Sequence, residues 1–359
     1  MPTILTDAAG ARLRQMMLIA FDRALAKHPD VVHESFYLFG GRRTRIRIVG
    51  QELAKHLTRP FSHLRANNSD ARSPQLTIDV WDETETHIHC QAIPSNGDAS
   101  QTKFIAVSPD GCFLLQQRPG VLNCYNKDTQ HIMSSVMWGS QLSVYEQCKP
   151  FGRVLLEWHN QQDVQIIHAA LVSRHGKGAL FVGKSGSGKS TSSLACLAGG
   201  LSFLSEDFVG LEKLNDGSFI GHSIFNSVFL ETNHVLRFPR LVPHSKVGLP
   251  HEDKLAIVLS EICPERLERA VPIQVLLLPR IVDAEKPAIR RASKSEVTSV
   301  VAESFLELPS QGLGKGGLER LLQLAERVPS YWLELGRDLE LIPSCVDDLL
   351  ERGNARCPG

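Results

Sequence analysis

Residues 183 to 190 read GKSGSGKS; the apolar run GALFV ends immediately before them, and STSSLACL follows from Ser190. Strand, glycine-rich turn and helix in that order leave a chain few options, because the strand must lie inside a sheet and the helix must pack back on it. The motif is G-x-x-x-x-G-K-[ST]. Its glycines let successive backbone N–H groups turn toward phosphate oxygens, its lysine reaches the outer phosphates, and its last hydroxyl holds Mg²⁺. Gly183, Lys184, Ser185, Gly186, Ser187, Gly188, Lys189, Ser190 and Thr191 are therefore the expected contacts of a nucleoside triphosphate. A glycine-serine surface turn that matched the pattern by chance would lack both flanks.

The 359 residues fit two domains. In 1–150, an amphipathic helix over Ala8 to Ala26, broken by Arg12, Arg14, Asp22 and Arg23, precedes a smaller β-rich domain with strands at Ser35 to Phe39, Thr44 to Val49, Leu76 to Trp81, Lys103 to Val107 and Cys112 to Gln116. Turn chemistry at Gly40-Gly41, Asn67-Asn68-Ser69, Asn96-Gly97-Asp98 and Ser108 to Gly111 separates them. His87 and His89 in HIHC are expected on one face of a strand. They read as a solvated or satisfied face, since no second ligand pair accompanies them.

The break Pro150-Phe151-Gly152 marks the boundary, so the second domain is 151–359. It opens with a short helix over Arg153 to Asn160 and a strand over Val164 to Val172, which forms a hairpin with Gly178 to Val182 and so feeds the phosphate loop. A β-compatible stretch over Ser218 to Leu230, a buried strand over Val271 to Pro279 and helices over Gly316 to Arg327 and Pro343 to Arg352 complete an α/β pattern. Lys+Arg and Asp+Glu both count 39, which gives no global pull toward nucleic acid or an anionic membrane. No apolar run of about 18 residues suggests a membrane span. The eight cysteines are scattered without a C-x-x-C pair, so a disulfide scaffold is not expected and a reducing cytoplasm is.

The string LSFLSEDFVGL, Leu201 to Leu211, decides what the loop is for. Apolar Phe203 and Leu204 run into Glu206 and Asp207, as in a strand whose end delivers carboxylates to a metal-phosphate site. One carboxylate can hold the metal or its water while the other accepts a hydroxyl proton. An exposed acidic turn is the plainer alternative. His168, inside an apolar strand, reads on residues alone as a hydrogen-bonded core histidine in preference to one facing phosphate.

From Ile167 to Gly210 the chain resembles the kinase domain of HPr kinase/phosphorylase and the wider HPr-kinase-like serine kinases, with a histidine before the loop and an acidic pair after it. The resemblance implies an α/β P-loop kinase fold similar to phosphoenolpyruvate carboxykinase, with ATP and Mg²⁺ as cofactors and γ-phosphoryl transfer to a serine hydroxyl of a protein or peptide. Carried over by position, His168, Lys189, Glu206 and Asp207 are catalytic, and Ser190 and Asp207 meet the metal. Glu206 stands where the family usually has aspartate, which leaves the base open between Glu206 and Asp207. The glycine-rich signature beyond the acids is absent, although Glu231 lies near the place of a metal-linked glutamate. Arg237, Lys246 and Lys254 are the local candidates for the family's basic loop. The N-terminal domain is unlike that of bifunctional HPr kinases, which suits a substrate-recognition or regulatory role and another acceptor, as in the lasso-peptide (RiPP) tailoring kinases. The family implies a homo-oligomer. A small-molecule kinase of the same fold and a nucleotide-dependent switch or assembly ATPase are the competing readings; no LSGGQ or N-K-x-D string supports the latter.

Overall fold

The structure, a computed structural model, describes residues 3–4, 6–67, 72–90, 104–109, 111–249, 254–306 and 315–352. The chain divides into two compact units, Met1–Trp158 and His159–Gly359. The turn expected at 96–98, and parts of those expected at 67–69 and 108–111, lie outside the described residues.

The first unit contains, in chain order, β1 (Thr3–Ile4), α1 (Asp7–Lys27), β2 (Val32–Phe39), β3 (Arg42–Val49), α2 (Gln51–Leu57), β4 (Leu76–Asp82) and α3 (Glu83–Thr86). It continues through β5 (Phe104–Val107), β6 (Phe113–Arg118), β7 (Val121–Asn126), β8 (His131–Val136) and α4 (Val144–Cys148). Helix α5 (Gly152–Gln161) carries the division between the units. The strands form one eight-stranded sheet, β1-β5-β6-β7-β8-β4-β3-β2, with β3, β4 and β8 parallel. Helix α1 begins where the Thr6 hydroxyl accepts from the Ala9 N–H at 3.3 Å. Its Leu13, Met17, Ala20, Phe21 and Ala24 recur at helical spacing and bury against Trp81, Leu115, Cys124 and Met133 of the sheet. Phe39, Phe61 and Phe151 form a second aromatic cluster, with ring centroids 4.8 and 6.2 Å apart.

The HIHC segment is not a strand. Asp82 accepts from the Thr84 and Glu85 N–H groups and starts the short helix α3 instead, which ends at His87 in a left-handed conformation with φ 55°. A local acidic cap outcompetes the β pattern there. His89 then meets Glu83 at 3.2 Å, not His87.

The second unit contains β9 (Val164–His168), β10 (Ala170–Arg174), β11 (Lys177–Phe181), α6 (Lys189–Ala198), β12 (Ser202–Ser205), β13 (Phe208–Lys213), β14 (Phe219–Ser223), β15 (Ser227–Glu231), α7 (Thr232–Val235), β16 (Lys246–Leu249) and β17 (Lys254–Val258). Then come β18 (Ala270–Ile281), β19 (Ala288–Arg291), α8 (Lys294–Leu306), α9 (Lys315–Arg327), β20 (Ser330–Leu335) and α10 (Ile342–Arg352). Strand β18 is central: it runs parallel to β11 and β20, and its first residues pair antiparallel with β14. Between Gly178/Ile273 and Ala179/Val275 the register shifts by one residue on β18, which switches the side-chain alternation. Beyond that bulge Val275 and Leu277 face α6 and α10, while Leu276 and Leu278 face α8 and α9. A strand covered on both faces must be apolar throughout, as Val275 to Pro279 is. The loop between β11 and α6 thus stands at the end of a buried parallel strand.

The single strand expected over Val164 to Val172 is two strands. It breaks at Ala169, because β9 pairs with β13 whereas β10 pairs with β11 and β12.

Candidate active site

The change of partner at Ala169 has a counterpart opposite. Strand β12 stops at Ser205, paired with Leu171, and β13 starts at Phe208, paired with His168. Glu206 and Asp207 fill the interval, so both acids leave the ladder at the level where the sheet splits. The Ser205 hydroxyl donates to Phe208 O at 2.6 Å and the Ala169 N–H to Asp207 O at 3.2 Å, which fix this corner. Every strand end here is short, and side chains at such ends can project into the loop space beyond the sheet.

On the other side stands the phosphate loop. Gly186 and Gly188 take φ of 74° and 103°, the second serving as N-cap of α6. A Cβ on Gly186 would meet nothing within 4 Å, so the turn is open at that position; a Cβ on Gly188 would strike the Leu335 side chain. The Lys189 ammonium is buried and donates to Gly183 O at 2.7 Å and Lys184 O at 3.0 Å, folded back along the loop.

The two acids take different companions. The Ser190 hydroxyl donates to Glu206 Oε1 at 2.6 Å, and Glu206 is 6% exposed. The Asp207 side chain is 24% exposed and has His168 Nε2 3.0 Å from its Oδ1. His168 therefore faces the acidic pair from the last position of β9 and does not simply fill the core, the reading that its apolar neighbours favour; what that reading lacked was the break at Ala169. Of the expected metal contacts, Ser190 lies against Glu206, while Asp207 lies against His168. Glu231 ends β15 with its carboxylate 3.8 Å from His234. Arg237 lies at the far end of α6, where it lines a separate cleft. Among the described residues no group of three His, Cys, Asp or Glu side chains forms a metal cluster.

Sequence reasoning found the acids and the lysine but not Leu335, which closes the loop from β20. Its only signal is a single leucine before a glycine, indistinguishable from core.

No known protein family's profile and no curated protein matches the chain. Among solved structures it is similar to the Hpr(Ser) kinase/phosphatase from Coxiella burnetii, at 16% identity over 51% of this chain and 95% of that one, with a TM-score of 0.29. At that score the likeness is too loose to assign a role to any residue. No helix among the described residues is long and apolar enough to cross a membrane.

Proposed function

We propose that this chain is an ATP-dependent phosphotransferase that transfers a phosphoryl group to a serine hydroxyl of a protein or peptide. The observation that carries the reading is the separation of the two acids at the start of α6, Glu206 against Ser190 and Asp207 against His168. A hydroxyl and a carboxylate side by side are a hard oxygen pair suited to Mg²⁺, and the open glycine turn with the α6 N-terminus suits phosphate oxygens. Bound Mg·ATP supplies the phosphoryl group and a dication that offsets charge on its oxygens.

The remaining work belongs to the chain. Ser190 and Glu206 hold the metal side. Lys189 exchanges its two loop carbonyls for phosphate oxygens and neutralises charge that develops there. The Asp207 carboxylate, the more exposed of the two, takes the proton from the incoming hydroxyl, and His168 holds it in orientation. The resemblance over residues 167–210 supports a serine acceptor, and the unlike N-terminal domain supports a peptide acceptor of its own kind.

The test is transfer from γ-labelled ATP with Mg²⁺ to serine peptides and their Ser→Ala counterparts. Label on serine that disappears in both Lys189→Ala and Asp207→Ala is the expected result. Transfer surviving both substitutions overturns the assignment, and ATP consumption without any labelled acceptor favours the switch reading.

A further inference from the structure

A cleft of about 740 Å³ opens at the other end of α6, lined by Leu194, Leu197 and Ala198 of that helix together with Phe238, Leu241 and Ile262. It is a separate site: its α6 residues, Leu194 to Ala198, lie about 7 to 14 Å along the helix axis from Lys189, and no phosphate-loop residue lines it. The volume lies within the range of small-molecule sites, and an apolar lining with a few polar groups at the rim is their usual composition.

The rim is where specificity can be read. Arg237 and Arg240 both line the cleft and are exposed. Leu236, 68% exposed, and Val242, 38% exposed, bracket them in sequence. The apolar lining of Leu194, Leu197, Phe238, Leu241 and Ile262 beside two exposed guanidinium groups is complementary to a ligand with an apolar body and an anionic head. Arg266, also at the rim, is engaged with Gly200 O. Glu265 and Glu340 line the cleft from other segments, so the exposed guanidinium groups of Arg237 and Arg240 mark the side on which an anionic head group would be held.

We propose that this cleft binds a small amphiphile, an apolar acyl or aryl body carrying one carboxylate or phosphate. The assignment does not depend on the kinase reading, since nothing in it uses the phosphate loop.

The test uses the full chain and fluorescence titration with 8-anilinonaphthalene-1-sulfonate, followed by displacement with decanoate, decanol and decyltrimethylammonium. Saturable one-to-one binding is expected, displaced about tenfold better by decanoate than by the cationic amphiphile. Ala198→Trp, whose exposed side chain lines the cleft, is expected to abolish binding. Because that variant fills space beside the core, the surface pair Arg237→Glu with Arg240→Glu is measured alongside it; it should fold as the parent does and reverse the head-group preference. Equal displacement by anion and cation, or probe binding unchanged in both variants, overturns the proposal. Binding of acidic, leucine-rich peptides without binding of decanoate gives the cleft to a protein partner and overturns it equally.

Discussion

Asp79 shows how one buried acid sets the acid stability of the first unit. It is 1% exposed on β4 and accepts from Arg47 Nε and Nη2, each at 2.7 Å, with His131 Nε2 at 2.9 Å. Burial alone would raise its pKa, but His131 and Arg47 outweigh burial and hold it below its ordinary value of 3.8. A carboxyl depressed in the folded state adds stability above its unfolded pKa, and that stability is lost as pH falls through the folded value. Asp79→Asn is therefore expected to cost about 3 kcal/mol at neutral pH, since it removes the buried negative charge opposite Arg47 and replaces one of the two acceptor oxygens with an NH2 donor. Urea titrations below pH 4 should show the variant with a flatter acid limb than the parent; parallel limbs would contradict the account. The acids of the candidate site separate in the same way by their companions. Glu206→Gln should raise the Mg²⁺ requirement with little loss at saturating metal, whereas Asp207→Asn should lower kcat by about 10²- to 10⁴-fold with nucleotide affinity retained. Steady-state assays over a Mg²⁺ series distinguish the two, and identical phenotypes would mean that the acids share one role.

The start of α6 is an element held by backbone geometry that no side chain but hydrogen allows. Gly188 at φ 103° lies in the left-handed half of the map, and Leu335 occupies the direction a Cβ would take. Gly188→Ala combines about 1–3 kcal/mol of backbone strain with a steric clash. Adding Leu335→Ala should relieve the clash and leave the strain, so the double variant unfolds at higher urea than a simple sum of the two single losses predicts. Strict additivity would show that Leu335 does not press on the loop. The motif made this element legible from sequence, because glycine, lysine and serine at fixed offsets describe a backbone path. Strand β18 was legible too, as a near-continuous apolar run between two covered faces. The break between β9 and β10 was not, since Ile166, Ile167, Ala169, Ala170 and Leu171 are all buried and periodicity carries no mark of a change in pairing partner. That one break turns His168 from a core residue into a neighbour of Asp207, so the site's least legible residue followed from its least legible boundary. HIHC failed for a related reason: Asp82 caps a turn with its side chain, and a short-range hydrogen bond overrode β propensity.

At the scale of the whole molecule, the two units carry separate apolar cores, α1 on its sheet in one and β18 between two helical layers in the other. A ligand that binds the folded phosphate loop stabilises by mass action whatever must be folded to form it, by about 2.7 kcal/mol at a hundredfold excess over Kd. The loop is anchored by β11, β18 and α6, whose side chains belong to one continuous packing, so amides of those elements should exchange through the same large opening. Hydrogen exchange with saturating Mg·ATP is therefore expected to slow amides across 177–198, 205–211 and 273–281 together. Lys189→Ala should abolish the effect without altering exchange in the ligand-free chain beyond the loop. Protection confined to 183–190 would mean that the nucleotide orders only its own turn, and no protection at all would remove the triphosphate from the account. With 39 basic and 39 acidic residues the chain carries no formal net charge to attract polyanions, so the same protection is expected to be insensitive to a tenfold excess of duplex DNA at about 0.15 M salt. Competition by DNA would require a local basic surface that acts on the loop, and the pair Arg237 and Arg240 at the other end of α6 would be the first to reverse.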